Sequence, residues 1–509
     1  MGNTILIIGN HPIVADLTRQ YRLRSDDVVC WNDDAKLADS DLVAIKEFVL
    51  LSDYRSQAMQ ADNEAMGVLL KLATHQTLRK VDGKRPLCHL LLRGQSLLQM
   101  IRLEGFRQEI EDSLEVNAFT MEDQWSQTVA LSLDREPIMK QTEKTVHLVI
   151  FGMSDLAEMI AVNAAHVCHF PNYLQKGHSL RTRITMIDKA SQEKSVRWLQ
   201  KYKALFDNSY YRFVDASRKP AVTHIHKPMY ADRGDFVDIE WEFVTATPYD
   251  VLVRNKLSMW ATSSSQMLTV VFAYDNSEEG LNAALHLPED VGASSVPVYV
   301  YMSSDEAFRQ IRHSGNMPHI MPFGMSNYGY DINIPLVRMA KNVNYIYDRC
   351  YEENDRNWDG HLRFSVEIDE EQKELSWARK SGVKRMSSIC NAMTIGVKMR
   401  SMGFKEDEWE KFFDMSQEEI ETLSEVEHNR WSVGELLLGW RPCNDQEQRE
   451  VEADINMKEE LKKRKIHYDL RTYHDLRPDA TGRSVQLYDR CLSACIPLIA
   501  KESRGERYD

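Results

Sequence analysis

The sequence contains no long apolar run. Windows of about 18 or more uninterrupted apolar residues are absent, so no membrane-spanning helix and no direct membrane insertion is predicted. The amino-terminal stretch MGNTILIIGN lacks the basic segment that precedes the apolar core of a signal peptide. The eight cysteines are scattered without a CxxC pair, which favours reduced thiols and a cytoplasmic protein.

Basic residues are in deficit. The chain has 63 Lys and Arg residues against 77 Asp and Glu residues, which gives a net charge of −14 at pH 7. A nucleic-acid backbone is a polyanion that proteins bind mainly through Lys and Arg. Nucleic acid is therefore not expected to be a partner.

Several catalytic and metal-binding signatures are missing. The sequence has no GxxxxGK[ST], HExxH or GxSxG motif, and no tyrosine is followed four residues later by lysine. These absences argue against P-loop ATPases, two hydrolase classes and small Rossmann-type reductases. His166 and His169 can share one helix face, but a third ligand is not evident. Neither a metal site nor a catalytic residue is predicted.

The order of predicted elements indicates an α/β protein. Apolar runs rich in β-branched residues alternate with amphipathic patterns up to about residue 327, which is typical of parallel β-α-β units. The alternation restarts at residue 146, which indicates a duplication. Helices are then predicted over residues 336–351, 374–402, 417–438 and 485–500. We predict three domains: parallel sheets in residues 1–140 and 141–328, and a mainly helical domain in residues 329–509.

One stretch carries most of a nucleotide-binding turn. VHLVIFGMSDLAEMIAVNAA, residues 146–165, predicts a strand, a glycine turn and a helix, an arrangement that can hold a phosphate at the helix amino terminus. Gly152, Ser154 and Ala157 form GxSxxA, close to the dinucleotide fingerprint but weakened at its centre. Ser154 is placed to cap the helix. The alternative is that Gly152 is only a turn between strand and helix.

The first unit has a poorer turn. Gly9 is in place, but His11 and Val14 occupy the two other small positions, where they crowd the phosphate and the helix. Asp33 or Asp34 is placed to bind a ribose. We expect this unit to have lost nucleotide binding and to serve as a dimerisation or scaffold domain.

Longer stretches of sequence in the two units share the same order of residue patterns. In the second unit they are VVFAYDNSEEGLNAALHLP at 270–288 and, more loosely, VPVYVYMSSDEAFRQIRHSG at 296–315. In the first unit the same order occurs in residues 48–72, 86–105 and 114–131. Residues 1–325 thereby resemble a pair of TrkA-N, or RCK, Rossmann domains of potassium-transport regulators. The resemblance implies NAD(P) or an adenine nucleotide as cofactor and a homodimer through paired Rossmann domains.

Two acidic residues complete the predicted nucleotide site. Asp188 ends the next strand, where an acid binds ribose hydroxyls, although it lies further along than the usual ~20 residues because of the insertion 171–183. Asp275 follows a later strand, at the end that the family uses for ligands. The predicted contacts are Gly152, Ser154, Asp155, Leu156, Asp188 and Asp275.

The most distinctive sequence is LSEVEHNRWSVGELLLGWRP, residues 423–442. It predicts a helix that Gly439 stops, with Trp440 directly after the stop. Trp431 and Trp440 are either large core residues or an aromatic clamp for a flat ring, helped by two nearby arginines. Both interpretations stay open from the residues alone.

This motif resembles the ryanodine receptor (RyR) repeat domain. The family pattern is EHxxW…GW, a charged segment, a His-Pro pair and an aromatic residue three positions before leucine. The matching positions are Glu427, His428, Trp431, Gly439, Trp440, Lys465, His467, Tyr473, Leu476, Asp489 and Arg490, with Tyr468 where the family usually has proline. The resemblance covers about residues 330–502 and implies a pocket for an adenine nucleotide. The implied contacts are His428, Arg430, Trp431, Trp440, Arg441, His467 and Tyr473.

Three functions are compatible with these features. The first is a nucleotide-sensing regulatory protein of bacterial signalling, antiviral defence or ion-transport control, with a small nucleotide ligand, a protein partner and a homo-oligomeric state. The second is an NAD(P)-dependent oxidoreductase that uses Tyr274 or Asp275. The third is a scaffold whose Rossmann units bind nothing. The first is favoured because two nucleotide-type folds occur without a catalytic constellation.

Overall fold

The computed structural model describes residues 4–78, 85–175, 178–216, 218, 221–229, 235–303, 319–332, 335–353, 368–405, 408, 415–478, 482 and 484–500. Residues 304–315, the end of one stretch with a family resemblance, lie outside the described residues. Two parallel-sheet, Rossmann-like units are followed by many helices, which confirms the predicted α/β class. Within the described ranges, no helix combines the length and apolar composition needed to cross a bilayer.

The first unit is a parallel sheet with flanking helices. Its elements are β1 (Thr4–Ile8), α1 (Val14–Leu23), β2 (Asp27–Trp31), β3 (Ile45–Leu51), α2 (Ala58–Ala73), β4 (Leu87–Leu92), α3 (Gln95–Glu104), α4 (Gln108–Ser113), β5 (Glu115–Thr120) and α5 (Met121–Ala130). The described strands lie in the order β2-β1-β3-β4-β5 and are all parallel. Strands β1, β3 and β4 are buried on both faces, which is why they appear as continuous apolar runs.

The second unit has a larger sheet. Its elements are β6 (Thr145–Phe151), α6 (Asp155–Val167), β7 (Leu174–Gln175), β8 (His178–Ser179), β9 (Thr182–Asp188), α7 (Ser191–Lys201), α8 (Lys203–Asp207), β10 (Tyr210–Asp215), β11 (Val222–His226), β12 (Ile239–Thr245), α9 (Val251–Ala261), β13 (Gln266–Phe272), α10 (Ser277–Leu285), α11 (Glu289–Ala293), β14 (Val298–Tyr301) and β15 (Ile320–Phe323). The sheet order is β11-β10-β12-β9-β6-β13-β14-β15, with β11 antiparallel to β10. Without β10 and β11, this is the 3-2-1-4-5-6 order of dinucleotide-binding sheets.

Five strands of each sheet have the same order and direction. The first sheet, β2-β1-β3-β4-β5, has the same order and direction as β9-β6-β13-β14-β15 of the second. This common order supports a duplication, with β10, β11 and β12 added beyond β9. The sequence did not predict β10 and β11, because both are largely half-buried or exposed and mix polar with aromatic residues.

The third part of the chain is mainly helical. Its elements are α12 (Pro335–Glu353), α13 (Glu370–Arg379), α14 (Gly382–Met393), α15 (Ile395–Ser401), α16 (Gln417–Leu437), β16 (Arg441–Pro442), α17 (Asp445–Ala453), α18 (Met457–Lys462), β17 (Ile466–His467), a 3₁₀ turn (Tyr473–Asp475), α19 (Gln486–Ala494) and α20 (Ile496–Ala500). The single helix predicted over 374–402 is wrong, since three helices occupy it. The first break precedes Gly382, where a Cβ atom would lie 2.1 Å from the carbonyl oxygen of Arg102 in the first unit. Only glycine allows so close an approach.

Two cysteines of the helical unit are joined. Cys350 in α12 and Cys491 in α19 form a disulfide, with their Cα atoms 6.6 Å apart. The expectation of reduced thiols is therefore wrong for this pair, because 141 residues separate the two and no sequence pattern links them. The six other cysteines, all within the described residues, are free thiols.

The three units share one hydrophobic core. Phe119 of the first unit, Ile160 of α6 and Leu436 of α16 belong to the same buried cluster. Helix α5 of the first unit packs along α6, and the side-chain amide of Asn163 donates a hydrogen bond to Ser126 Oγ at 2.7 Å. Packed side chains, and not only linkers, therefore connect the units.

Tyr330 ties the segment after β15 to the first unit. Its buried ring stacks on Phe119 with the ring centroids 3.7 Å apart. Its hydroxyl is bonded to His89 Nδ1 and accepts from Asn117 Nδ2 at 3.1 Å. His89 Nε2 lies 2.9 Å from Glu47 Oε1. Because a carboxylate only accepts, Nε2 carries the proton and Nδ1 accepts from Tyr330, which completes a buried chain of hydrogen bonds.

We expect Tyr330→Phe to lower the free energy of unfolding by roughly 1–3 kcal/mol, because it leaves the buried His89 and the half-buried Asn117 without this hydrogen-bond partner. Tyr330→Ala also removes the stacked ring and should cost roughly 3–5 kcal/mol. Urea unfolding followed by circular dichroism measures both. Tyr54→Phe, at a tyrosine that is 45% exposed, is the control and should change nothing measurable. Equal unfolding midpoints for the wild type and Tyr330→Phe would contradict the hydrogen-bond chain.

Candidate functional site

The turn after β6 requires glycine. Gly152 has a φ of +93°, and its N–H donates to the carbonyl of Ile187 at 2.9 Å. A Cβ atom there would lie 3.0 Å from both the carbonyl oxygen of Ala273 and the ring of Tyr274. Glycine therefore lets the chain turn from β6 into α6 beside the ends of β9 and β13.

Ser154 caps the amino terminus of α6, as the sequence predicts. Its Oγ accepts a hydrogen bond from the N–H of Ala157 at 3.1 Å. The same hydroxyl donates to the carbonyl oxygen of Ala273 at 2.6 Å, which fixes the start of α6 against the end of β13. The cap thus anchors the helix between two strands.

Asp155 and Leu156 would contact a phosphate through their backbone N–H groups. As the first helical residues, they have N–H groups that lack a partner within the helix, and the helix dipole favours an anion there. The Leu156 side chain is buried in the core, and the Asp155 carboxylate lies 3.0 Å from Arg197. The main-chain N–H groups are therefore what these two residues offer to a phosphate.

Asp188 lies beside the turn, as predicted, but its oxygens are already bonded. Oδ2 accepts from the N–H of Met153 at 3.0 Å and from Lys194 Nζ at 2.7 Å, and Oδ1 accepts from the N–H of Ala190 at 2.7 Å. The carboxylate is buried, whereas the Lys194 side chain is 44% exposed. A ribose hydroxyl would have to displace Lys194.

Tyr274 covers the glycine turn at the end of β13, and Asp275 follows it as an exposed residue. Burial raises the pKa of Tyr274, and the charges of Glu279 and Asp188 add to this rise, so the phenol keeps its proton at neutral pH. The predicted contacts that meet at the turn are Gly152, Ser154, Asp155, Leu156 and Asp188. Asp275 lies at the margin of this edge.

The corresponding turn of the first unit is crowded. The ring of His11 is buried and meets the Tyr54 ring edge-on, with centroids 5.3 Å apart. Burial lowers the pKa of His11 to about 4, so a neutral, bulky ring stands where a small residue would admit a phosphate. Asp34, one of the two ribose candidates, pairs with Lys71 at 2.5 Å. The expected loss of nucleotide binding stays a prediction.

Five aromatic side chains of the carboxyl-terminal motif form a connected group, in which His467 contacts both tryptophans. Its ring lies edge-on to Trp431 at 4.9 Å and to Trp440 at 5.7 Å between centroids. His428 lies 5.5 Å from Trp431 and 6.0 Å from Tyr473. These five residues, here named the ring cluster, are five of the seven contacts predicted for the RyR-like pocket. Both tryptophans are half-buried, so the cluster reaches the surface.

The pKa values of the two histidines of the ring cluster are shifted in opposite directions. His428 Nε2 lies 2.9 Å from the carbonyl of Arg471, and Nδ1 lies 3.4 Å from Asp489 Oδ2. Burial acts to lower the pKa of His428, but Asp489 and the carbonyl of Arg471 raise it overall. Burial lowers the pKa of His467 to about 4, so that ring is neutral at pH 7.

Arg430 lies on another face of α16. Its buried guanidinium holds the Glu427 carboxylate at 2.8 and 3.0 Å, and Lys398 Nζ lies 2.7 Å from the same group. Positions 427, 430 and 434 lie about 100° around the helix from 428, 431 and 435. A Cβ atom on Gly434 would lie 3.8 Å from Arg430 and 3.9 Å from His166. Arg430 therefore faces the second unit and not the ring cluster.

Arg441 also has a carboxylate partner. Its two terminal nitrogens each lie 2.7 Å from an oxygen of Glu447. Glu447 forms a capping box with Asn444 at the start of α17. Arg441 thus holds the beginning of α17, next to Trp440 in the chain.

Sequence reasoning missed Glu435. This residue lies one helical turn after Trp431, on the same side of α16. Burial raises the pKa of its carboxyl group to about 7, although Arg430 and Lys465 act against the rise. An acidic residue inside the apolar run GELLLG is the sequence signal that could have identified it.

We expect Glu435 to make stability depend on pH. Its folded-state pKa of about 7 lies above the ordinary 4.5, so the folded chain binds this proton more tightly than the unfolded chain. The free energy of unfolding should therefore fall as pH rises from about 4.5 to about 7 and then level off. Glu435→Gln cannot ionise, and we expect it to exceed the wild type by about 1–3 kcal/mol at pH 8 and to match it near pH 4.5.

Urea midpoints measured across this pH range test the expectation. Glu418→Gln, on the same helix and 83% exposed, is the control for the loss of a carboxyl group. Parallel pH profiles for Glu435→Gln and the wild type would show that the Glu435 carboxyl is not perturbed.

Two places in the molecule are thus candidate ligand sites, the turn after β6 and the ring cluster. In the part of the chain that the structure describes, no group of three or more His, Cys, Asp or Glu side chains is arranged to hold a metal ion. Comparisons with protein-family models, with curated proteins and with solved structures found no match.

Proposed function

We propose that the chain is a nucleotide-sensing regulatory protein whose second unit binds NAD(P) or an adenine nucleotide at the turn after β6. The observation that carries the proposal is the position of α6. Its capped amino terminus lies where the strand order reverses, between β6 and β13, with Asp188 beside it. Open parallel sheets bind ligands at this point, and a helix amino terminus favours a phosphate.

The groups at this edge favour binding over hydride transfer. The Ser154 hydroxyl serves as a helix cap and donates to a carbonyl, and Asp188 accepts from two N–H groups and Lys194. Acid–base catalysis works best when a pKa lies near the working pH. Tyr274, the candidate proton donor of an oxidoreductase, has a pKa that burial shifts away from neutrality.

Helix α6 connects this turn to the other two units. Helix α5 of the first unit and helix α16 of the helical unit both pack against it. His166, near its carboxyl end, faces Arg430 of α16. A ligand that shifts α6 changes the contacts of both neighbours, and sensing requires such an energetic difference between two states.

The resemblance to the RyR repeat extends the proposal to the ring cluster. Rings between 4.9 and 6.0 Å apart, with the half-buried Trp431 and Trp440 among them, suit a flat base or a protein partner. In this proposal the first two units are TrkA-N/RCK-like and pair in a cytoplasmic homodimer. The protein would act in bacterial signalling, antiviral defence or ion-transport control.

Two contacts favour a scaffold as the second candidate. Lys194 lies 2.7 Å from Asp188, and Ser154 lies 2.6 Å from the carbonyl of Ala273. The polar side chains of the turn are therefore satisfied without a ligand. A scaffold requires no contacts beyond these internal ones. A nucleotide would have to replace the contact between Asp188 and Lys194 with a contact of its own to Asp188.

A negative charge placed at the turn after β6 distinguishes a nucleotide-binding protein from a scaffold. Ser154→Asp keeps a good helix cap but puts a negative charge at the phosphate position, and we expect it to weaken nucleotide binding at least tenfold. Ser154→Asn, a neutral cap, is the matched control and should weaken binding much less than Ser154→Asp does. The melting temperature is measured with NAD(H), NADP(H), ATP, ADP-ribose and cyclic nucleotides. A ligand at about 100 times its Kd should add about 2.7 kcal/mol of stability.

A wild-type chain that responds to none of these nucleotides supports the scaffold. A response that persists unchanged in Ser154→Asp places the nucleotide somewhere other than the turn after β6.

Removal of one indole tests the ring cluster. We expect Trp440→Ala to weaken a nucleotide bound there roughly 5- to 150-fold, since stacking of a base on an aromatic side chain contributes about 1–3 kcal/mol. Trp440→Phe keeps a ring and should lose less. Titration calorimetry on the Ser154→Asp background isolates this second site. If Trp440→Ala and Trp440→Phe bind the nucleotide with equal affinity, a ring at position 440 does not contribute to binding by stacking.

A further inference from the structure

The disulfide between Cys350 and Cys491 joins α12 to α19 in the helical unit. Both cysteines are buried in a small apolar cluster with Leu487. Tyr347 and Tyr488 lie one helical turn before the two cysteines, and their rings stack with centroids 5.0 Å apart. Tyr347 is 42% exposed, so the disulfide lies only one layer of side chains beneath the surface.

Helix α19 carries this disulfide on one side and contacts the ring cluster on another. Asp489 Oδ2 lies 3.4 Å from Nδ1 of His428, and Gln486 Nε2 donates to the carbonyl of Tyr473 at 2.9 Å. Positions 489 and 491 lie about 200° apart around a helix. The covalent bond and the contact with His428 are thus on nearly opposite faces of α19, so a shift of this helix against α12 also changes its contact with the ring cluster.

Helix α12 is held in place by contacts other than those with α19. Its Lys341 Nζ lies 2.8 Å from Glu115 Oε1 of β5 and 2.7 Å from Glu374 Oε2 of α13. The disulfide therefore connects α19 to a helix that is bound to the first unit. Apolar side chains of α12 and α19, such as Val343 and Leu492, share one buried cluster. This packing remains when the disulfide opens, so reduction loosens α19 without detaching it.

The other cysteines favour a regulatory role for this pair. Six cysteines in the described part of the chain are free thiols, and Cys30 among them is exposed. In proteins that keep free thiols under reducing conditions, a disulfide is usually transient, catalytic or redox-sensing. A sequence separation of 141 residues means that opening this disulfide releases a long closed loop in the unfolded chain. Its reduction should therefore change stability measurably.

We propose that the Cys350–Cys491 disulfide is a redox switch for the ring cluster. In the oxidised protein, α19 is fixed against α12 and Asp489 stays in contact with His428. In the reduced protein, α19 loosens and this contact weakens, while the sheets of the first two units do not change. The switch does not depend on nucleotide binding at either candidate site.

Reduction requires two equivalents of a small-molecule thiol or one equivalent of a dithiol. A thiolate of the reductant attacks one Sγ atom, the Sγ–Sγ bond breaks, and a mixed disulfide forms. A second thiolate then attacks the reductant's sulfur in this mixed disulfide, and the reductant leaves as its own disulfide. Two electrons pass to the protein, and Cys350 and Cys491 each take up one proton and become thiols.

Dithiothreitol at about 10 mM is the probe, applied to the native full chain. Mass spectrometry after alkylation should count eight thiols in place of six. The melting temperature should fall by about 3–10 °C. The pKa of His428, measured by NMR with isotope-labelled histidine, should also fall, because burial lowers it and Asp489 is the main group that raises it.

Two results would overturn the proposal. If dithiothreitol opens the disulfide only when the chain unfolds, the disulfide is a structural cross-link. If the pKa of His428 is the same in the oxidised and the reduced protein, reduction does not reach the ring cluster.

Three variants locate the effect. Cys350→Ser lacks the disulfide and should match the reduced wild type with and without dithiothreitol. Asp489→Asn keeps the disulfide, and its reduction should leave the pKa of His428 unchanged; a shift as large as in the wild type would contradict the route through Asp489. Cys30→Ser, at an exposed free thiol, is the matched control and should respond to dithiothreitol as the wild type does. Should Cys350→Ser fail to fold, reduction of the wild type and of Asp489→Asn decides.

Discussion

Helix α6 has almost no exposed surface, and the rest of the structure depends on covering it. Apart from Asp155, every residue of this helix is buried or half-buried. A helix without a solvated face must be packed on all sides. The second sheet covers one side, α5 of the first unit another and α16 of the helical unit a third. Small residues such as Ala161, Ala164 and Ala165 let these neighbours approach closely. The packing of this helix joins all three units, and its amino terminus is the candidate phosphate site.

The junction around α6 also explains why charged residues of the carboxyl-terminal motif are not all ligand contacts. Glu427 is buried and lies between Arg430 and Lys398, and although burial alone would raise its pKa, these cations hold it below its usual range. Breaking such a pair would leave an uncompensated buried charge. Arg430 is thereby committed to the packing of α16. The rings on the neighbouring face are left to form the ring cluster, with Trp431 and Trp440 half-buried at its edge.

Local features of the fold were predictable because they depend on residues near each other in the chain. The glycine turn at Gly152, the cap at Ser154 and the buried strands follow from spacing and apolar pattern. Contacts between distant segments were not predictable. Tyr330 enters the first unit from the segment after β15, and Asn163 of α6 donates a hydrogen bond to Ser126 of α5. The half-exposed strand β10 has no strong pattern at all.

The sequence by itself determined the α/β class, the two parallel-sheet units, the helical third part and the glycine turn at the start of α6. Hydrophobic periodicity and backbone sterics act over a few residues, so they can be seen in the chain without knowing what it folds against. The tertiary structure alone decided that Tyr274 covers this turn, that Arg430 faces α6 while the rings around His467 form a cluster, and that Cys350 and Cys491 are joined. Each of these contacts depends on which surfaces pack against each other. Burial and charge pairing determine that packing, and they act between residues that are distant in the sequence.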